Sequence, residues 1–325
     1  MTTRQRIVFV TLIAALAGSA AVSMYVGTSG VPFSNTWREL SGPRLAMGML
    51  AGAALSVAGA MFQALFRNPL ASPYTLGVST GASLGAAIAF TLTGGGLLLG
   101  IPIITASAFA GALICMTIVY VLARARTGQA TATLLLAGVT IGFISSALIV
   151  LLMFLASVHD ADRILRWTMG SLVVVGFDVV YETLALVVLA GGLSFYLHRD
   201  LDLLMMGEVI AQARGVAIAR TRRRVYFSAS LLTAAICAYC GPIGFVGLMI
   251  PHIVRFLLGP MHRFLIPGCA LAGAAFLPLC DVFARNIMWA LFADNRQIPV
   301  GVVTNILGGA FFLYLLLTNR GSRAL

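Results

Sequence analysis

Lysine is absent from the 325-residue sequence, in which all 21 basic residues are arginine. This absence excludes every chemistry that needs a lysine amine on this chain, including the P-loop lysine that binds nucleotide phosphates and the lysine that forms a Schiff base. If ATP supplies energy to this protein, we therefore expect a separate chain to bind it.

Charged side chains of either sign are also scarce. They account for 10% of the residues, compared with about 25% in soluble proteins, whereas hydrophobic residues account for 60%. So few charges cannot coat the surface of a soluble domain of this length. The 34 glycines are typical of membrane helices that pack closely against each other. The composition therefore predicts an integral membrane protein.

Long uncharged runs indicate how many helices cross the membrane. A helix needs about 20 apolar residues to span the hydrocarbon core of a bilayer. Divided at clusters of glycine and proline, the runs give about nine or ten helices, with one boundary at Cys240-Gly241-Pro242. We favour ten. The prediction is an all-α, polytopic membrane protein with a single transmembrane domain over residues 1–325.

The distribution of arginine predicts the orientation. With a cytoplasmic N-terminus and ten crossings, 15 arginines fall on the inner side and six on the outer side, which agrees with the positive-inside rule. Both termini are then cytoplasmic. Residues 1–21 also resemble a signal peptide, but its cleavage would leave an odd number of helices and spoil the arginine asymmetry. We therefore expect them to form the first membrane helix.

Ionisable residues are rare inside the predicted spans. The candidates Asp178, Glu182 and Asp281 each lie near a predicted helix end or an outer loop, whereas ion-coupled transporters usually carry such a residue near the middle of the membrane. This favours a translocator driven by a partner protein, and an ion-coupled secondary transporter is the alternative class. We expect no catalytic residue and no metal site. The Cys237-x-x-Cys240 spacing favours helix packing over redox chemistry.

Five polar or glycine-rich motifs interrupt the apolar segments in a fixed order. The first contains Arg67-Asn68-Pro69-Leu70, and the motifs span residues 52–82, 134–139, 167–172, 241–255 and 299–312. In this order and spacing they resemble the permease subunits of binding-protein-dependent ABC importers for iron chelates and cobalamin, the FecCD type. The resemblance covers the chain from about Pro43 to Leu317.

This resemblance implies the type II ABC importer permease fold, with ten helices per subunit and a pathway on the axis of a dimer, which we expect to be a homodimer. It implies two separate ATPase subunits, which bind ATP and Mg, and an outer substrate-binding protein. The chain itself would be a non-enzymatic subunit without a cofactor, in a bacterial inner membrane. It would import an iron chelate (haem or a ferric siderophore) by alternating access, with cobalamin as the alternative substrate.

The resemblance also assigns roles on the cytoplasmic side. It implies a gate at Asn68 and Leu70, where the local interpretation is only a helix stop before proline. A second constriction would lie at Thr131 and Leu135. The segment 206–215 would couple to the ATPase through Gly207, Glu208, Arg214 and Gly215, although an amphipathic loop helix in solvent would have a similar sequence.

On the outer side, Arg44 and Arg285 match arginines that dock the binding protein in this family. A guanidinium suits that task because it forms forked hydrogen bonds to carboxylates. The chain departs from the family at Ser41, where an arginine is frequent, and at Gln297, where glutamate is common. Arg38 and Arg296 could supply the docking charge instead.

The outer mouth of the path would include Ser157, Arg163 and Arg166. The two arginines lie three residues apart, so they share one face of a helix. They could present positive charge to an anionic substrate, or they could pair locally with Asp160 and Asp162. Both interpretations are open at this point.

Overall fold

The computed structural model describes residues 2–26, 37–93, 96–98, 101–124, 130–293 and 296–318, with all of their side chains except those of residues 75, 98, 124 and 130–132. These ranges contain thirteen α-helices and one antiparallel pair of two-residue strands. The helices are α1 (Thr3–Tyr25), α2 (Gly42–Phe66), α3 (Val78–Thr93), α4 (Ile103–Arg124), α5 (Ala130–Leu155), α6 (Val158–Thr168), α7 (Asp178–Tyr196), α8 (His198–Met206), α9 (Glu208–Ala213), α10 (Ile218–Cys240), α11 (Val246–Leu258), α12 (His262–Phe292) and α13 (Val300–Thr318). The strands are β1 (Leu97–Leu98) and β2 (Ile101–Pro102), and a short π-helical turn (Trp37–Ser41) precedes α2.

Seven of the described helices are long and apolar enough to cross a membrane: α1, α2, α4, α5, α7, α12 and α13. Two others, α3 and α11, are apolar but shorter, with 16 and 13 residues. Helix α10 has 23 residues, and its first two turns carry four arginines. The predicted all-α membrane architecture is confirmed. Ten crossings require that α3, α10 and α11 also span the membrane, and that number stays a prediction.

Helix α2 occupies the centre of the bundle, where it packs against α10, α11 and α12. Glycines allow this close approach. A Cβ atom added at Gly52 would overlap the carbonyl group of Gly273 on α12, and one added at Gly59 would overlap that of Gly247 on α11. Small residues that bring helix backbones into contact are the usual means of helix association in membranes. The first glycine-rich motif therefore fixes the position of α2.

The chain is extended between α10 and α11, as the Gly-Pro pair predicts. Helix α10 ends at Cys240 and α11 begins at Val246, which confirms the predicted boundary. Gly241 adopts a positive φ of 66°, and a Cβ atom there would overlap the carbonyl oxygen of Trp167 at the end of α6. The Cys240 carbonyl accepts a hydrogen bond from the Ser171 backbone amide (2.7 Å). This non-helical segment is largely buried among helices, where irregular backbone is tolerated.

Candidate functional site

A cavity of about 320 Å³ opens between α3 and α5. The Tyr74–Leu76 turn, the end of α6 and the extended segment before α11 complete its wall. None of the described residues that line it is charged, and its polar surface consists mainly of hydroxyl groups. These belong to Tyr74, Ser79, Thr80, Ser83, Ser146 and Thr168.

Several of these hydroxyl groups donate to their own helices. Ser83 donates to the Ser79 carbonyl (3.1 Å), and Thr80 donates to the Gly77 carbonyl (3.0 Å). Thr168 donates to the Leu165 carbonyl (2.8 Å). Because these three protons are already bonded, this part of the wall offers oxygen lone pairs and carbon, beside the hydroxyl groups of Tyr74, Ser79 and Ser146. Such a surface contacts a passing molecule without holding it through a charge, and weak binding of this kind permits release.

The sequence carries a signal for this cavity that lies outside the five motifs. Ser146, Ile149, Val150 and Met153 line the cavity from α5, and their spacing of three or four residues marks one helical face. Only one of these four residues is polar, so the face did not stand out within an apolar run. The cavity was therefore not predicted.

The loop after α2 has a shape that Asn68 determines. Arg67 ends the helix in the left-handed conformation, with φ 48°. The Asn68 side-chain oxygen accepts a hydrogen bond from the Leu70 amide (2.9 Å), and the Asn68 carbonyl accepts one from the Ala71 amide (3.1 Å). This turn leaves the Leu70 side chain 53% exposed. The geometry is compatible with the predicted gate, in which Asn68 sets the turn and Leu70 presents an apolar side chain.

The second predicted constriction lies at the start of α5. Leu135 is half-buried and packs against the core, while the side chain of Thr131 lies outside the described residues. Helix α5 packs against the Tyr74–Leu76 turn, which follows the loop of Asn68 and Leu70. The two predicted gate segments thus belong to neighbouring elements, and their gate roles remain predictions.

The predicted coupling segment is a pair of short helices, α8 and α9. Gly207 connects them with a φ of 126°, and Gly215 follows α9 with a φ of 85°. Both conformations favour glycine because a Cβ atom would strain them. The helices close over a small core of Leu204, Ala211 and Val216, whereas Arg214 lies on the surface. Apolar side chains are exposed around the connection at Met206 (66%), Val209 (83%) and Ile210 (47%).

Glu208, the first residue of α9, lies between two arginines of the same chain. Its carboxylate forms an ion pair with Arg222 on α10 and lies 3.7 Å from the Arg67 guanidinium, measured from Oε1 to Nη2. Arg67 is the residue directly before Asn68. The structure therefore connects the predicted coupling segment to the predicted gate loop through a shared carboxylate.

A cavity of about 390 Å³ lies between these two regions. Met205 of α8 shares it with Asn68 of the gate loop and with Arg255 of α11. Arg255 donates to the side-chain oxygen of Gln63 (3.1 Å), and Gln63 donates to the Leu248 carbonyl (3.2 Å). Space next to the gate loop therefore adjoins the coupling segment.

Asp202 anchors α8 to the start of α12. Its carboxylate accepts hydrogen bonds from the backbone amide (2.8 Å) and ring Nδ1 (2.7 Å) of the buried His262. Burial raises the pKa of Asp202, but the hydrogen bonds that its carboxylate accepts from His262 outweigh this effect, and the net pKa is lowered. A lowered pKa means that folding favours the carboxylate. The contact is therefore stabilising at neutral pH and is lost as the pH falls through the lowered pKa.

At the opposite end of the bundle, Arg44 and Arg285 share the carboxylate of Asp281. Arg44 forms a fork with it, through Nε (2.9 Å) and Nη2 (2.8 Å), and also donates to Gln297 (3.0 Å). The Nε atom of Arg285 lies 3.1 Å from the same carboxylate, and only 4% of the Arg285 side chain is exposed. Both predicted docking arginines are thus engaged inside the chain. Gln297, which stands where the resemblance leads us to expect glutamate, is a partner of Arg44.

The other two docking candidates, Arg38 and Arg296, are exposed. Arg38 lies in the π-helical turn before α2, and Arg296 lies in the segment before α13. Their surface positions are compatible with contact to another protein.

Helix α6 shows the local pairing that the sequence left open. Arg166 forms an ion pair with Asp162 (2.7 Å), and the Arg163 Nη1 atom lies 3.6 Å from Asp160. Hydrogen bonding to Asp162 and its charge raise the pKa of Arg166. Ser157 caps the helix, since its hydroxyl accepts from the Asp160 amide (3.2 Å) and donates to the Asp160 carboxylate (2.8 Å). Formal charge therefore cancels within each pair.

Comparison with known proteins identifies the group to which these features belong. The sequence profile of the FecCD transport family matches residues 6–318. The cobalamin import system permease of Halobacterium salinarum is 40% identical over 87% of this chain and 73% of its own length. The Fe(3+) dicitrate transport system permease of Escherichia coli is 36% identical, over 97% of this chain and 98% of its own. The hemin transport system permease of Yersinia pestis is 33% identical, over 89% of this chain and 85% of its own length.

The fold agrees with these relatives. A solved structure, described as an inward-facing conformation of an ABC transporter of the metal-chelate type, superposes with a TM-score of 0.84. The identity is 26%, and the match covers 97% of this chain and 99% of the other. Family profile, relatives and fold agree over nearly the whole sequence. The chain therefore belongs to the FecCD transport family and is a permease subunit of an ABC importer.

Proposed function

We propose that this permease imports a bulky metal chelate, with a ferric chelate as the first candidate. The observation that carries the proposal is the uncharged, hydroxyl-lined cavity between α3 and α5. A path with such a wall suits a large molecule that a separate protein selects and that the permease must bind weakly. The proposed substrate belongs to the same class as those named for the family relatives.

The choice of a ferric chelate as first candidate rests on the share of each chain that aligns with its relative. The ferric dicitrate permease aligns with 97% of this chain and 98% of its own length. Haem is a further iron chelate in the same class. Cobalamin is the second candidate, because the cobalamin permease has 40% identity, although it aligns over 73% of its own length.

Alternating access would link the two ends of the bundle. A substrate-binding protein would dock on the outer side at the exposed Arg38 and Arg296, with Arg44 and Arg285 beneath them. Two ATPase subunits, which hold ATP and Mg, would each bind the apolar surface around Met206, Val209 and Ile210. Exposed apolar side chains of this kind are typical of protein interfaces. Movement of the ATPase subunits would reach Asn68 and Leu70 through Glu208 and Arg67.

A second copy of the chain would complete the path. Helix α5 exposes large apolar side chains beside the cavity, including Val150 (66%) and Phe154 (84%). A cavity open to one side of a subunit becomes enclosed when two such faces meet around an axis. We therefore propose a homodimer in a bacterial inner membrane, with both termini cytoplasmic.

Within the described spans, the acids that an ion-coupled transporter could use are either paired or lie at a helix end. Asp281 is paired with Arg44 and Arg285. Glu182 accepts a hydrogen bond from the Tyr239 hydroxyl, and Asp178 is the first residue of α7. Reconstitution of the permease alone under a sodium or proton gradient tests this class directly. Uptake that follows the gradient without an ATPase would favour it.

The substrate can be tested in proteoliposomes that contain the permease, its ATPase and its binding protein. We expect ATP-dependent uptake of ferric dicitrate or haem, measured in competition with cyanocobalamin. Preference for cyanocobalamin would select the second candidate. To test the path, Ser146→Phe should block uptake by filling the cavity. Leu148→Phe, on the opposite face of α5, is the matched control and should leave uptake unchanged.

A further inference from the structure

A separate cavity, of about 490 Å³, lies at the inner ends of α7 and α10. Its lining combines residues from the end of α7 with the first residues of α8 and with Arg224 of α10. The polar members are His198, Arg199, Asp200 and Arg224, and the aromatic members are Phe195 and Tyr196. No part of the proposed transport path lines it.

The lining of this cavity has an excess of positive charge. Arg199 and Arg224 are exposed, and among the described residues no carboxylate pairs with either of them. Asp200, the acid in the lining, accepts a hydrogen bond from the Thr221 hydroxyl (2.9 Å). That bond ties α8 to α10 across the cavity. Two forked donors therefore face the cavity without an anionic partner.

The three consecutive arginines of α10 serve two different surfaces. Successive residues of an α-helix point about 100° apart. Arg222 pairs with Glu208, and both Arg222 and Arg223 line another cavity together with Arg220 and Tyr120. Arg224 is the member that joins Arg199. The positive charge at this cavity thus comes from one arginine on each of two helices, α8 and α10. The run of consecutive arginines alone would not place these two side chains together.

The rim of the cavity is continuous with an apolar stripe on α7. Leu189 (68%), Leu193 (40%) and Tyr196 (74%) are exposed along this helix, which is long and apolar enough to cross a membrane. Aromatic side chains such as Tyr196 are enriched at the level of the lipid headgroups. The cavity therefore lies where a lipid phosphate would be found if its acyl chains followed the stripe.

We propose that this cavity binds the phosphate group of an anionic phospholipid. Arginine suits the task because its planar guanidinium forms two parallel hydrogen bonds to phosphate. A phosphate held by Arg199 and Arg224 joins the start of α8 to α10, in parallel with the bond between Asp200 and Thr221. The lipid thereby stabilises the base of the coupling segment. The site is independent of which chelate is transported.

The experiment titrates the purified permease in detergent with phosphatidylglycerol and follows bound lipid by native mass spectrometry. We expect Arg199→Gln with Arg224→Gln to weaken one phosphatidylglycerol site by about thirtyfold, because each arginine near a membrane surface contributes roughly a factor of five. The matched control, Arg220→Gln with Arg223→Gln, removes the same charge from the same end of α10 and should change affinity less than about threefold.

Three further arms decide the ligand. Phosphatidylcholine should bind the site weakly, and inorganic phosphate at the same concentration should not displace the lipid. Arg199→Lys with Arg224→Lys keeps the charge and loses the fork, so it should give an intermediate affinity. Equal loss in both glutamine variants would show general attraction to a basic surface and overturn the site. Equal binding of phosphatidylcholine, or displacement by inorganic phosphate, would overturn the anionic lipid as its ligand.

Discussion

The two ends of the bundle, which we predict to be its outer and inner ends, each hold one carboxylate between two arginines, but in opposite surroundings. At the outer end, Asp281 is 4% exposed and contacts Arg44 and Arg285. At the inner end, Glu208 is 45% exposed and lies between Arg67 and Arg222. The charges are the same, and the difference is access to water.

This difference assigns different consequences to the two clusters. When a buried carboxylate is removed, two guanidinium groups stay without a counter-ion where water cannot solvate them well. When an exposed carboxylate is removed, water takes its place at little cost. The outer cluster therefore fixes α2 against α12 permanently. The inner cluster can break and re-form more easily, as the predicted coupling role of this segment would require.

The strongest test of the contrast is Asp281→Asn. We expect it to lower the free energy of unfolding by about 3–5 kcal/mol, because it leaves the buried guanidinium of Arg285 and the partly buried one of Arg44 with one neutral partner. Thermal unfolding of the purified permease in detergent measures this loss. The paired variant Glu208→Gln should cost less than about 1 kcal/mol. Similar losses in the two variants would contradict the role of burial.

A smaller effect is expected from Arg44→Lys. Lysine keeps the charge, but it cannot form the fork with Asp281 together with the bond to Gln297. The lost hydrogen bond should cost about 1–2 kcal/mol in the same unfolding assay. Arg222→Lys at the exposed cluster serves as the control and should change stability by less than about 0.5 kcal/mol. An unchanged free energy of unfolding for Arg44→Lys would mean that the forked hydrogen bonds do not contribute to stability.

The inner cluster should affect transport more than stability. We expect Arg67→Glu to lower ATP-driven uptake by roughly tenfold, because it replaces attraction to Glu208 by repulsion between the gate loop and α9. Glu208→Arg in the same chain restores opposite charges and should recover part of the uptake. If Glu208 acted only by touching the ATPase, the second change would deepen the loss.

The smallest effect is the response to salt. Exposed charges are screened by ions, whereas buried pairs are screened much less. The interaction between Glu208 and Arg222 in a double-mutant cycle should fall by a few tenths of a kcal/mol when roughly 1 M salt is added. The cycle for Asp281 and Arg44 should stay unchanged. Equal salt dependence in the two cycles would place both clusters in the same dielectric surroundings.

Sequence patterns predicted the parts of this structure that local rules determine. The Gly-Pro pair at Gly241 predicted the break between α10 and α11, and the low charge content predicted the membrane fold. The pairing of Arg163 and Arg166 with nearby acids was one of two open interpretations, since the partners lie within one helix.

Contacts between distant segments were not predictable in the same way. Asp281 lies 237 residues from Arg44, and no local pattern connects them. The sequence therefore indicated a role for Arg44 and Arg285 at an outer surface but not their shared carboxylate. The hydroxyl-lined cavity was missed for a related reason, because it forms only where α3 and α5 meet.

Helix α2 connects the two clusters, with Arg44 in its first turn and Arg67 directly after its last residue. The two residues are 23 positions apart, which corresponds to about 35 Å along a helix. No proline or break interrupts this stretch, so the helix can act as a stiff lever between the two membrane faces. A tilt of about 5° around its fixed Arg44 end would shift the Arg67 end by roughly 3 Å. A displacement of that size would separate Arg67 from Glu208, so a small rotation of one helix would link the Asp281 cluster to the Glu208 cluster.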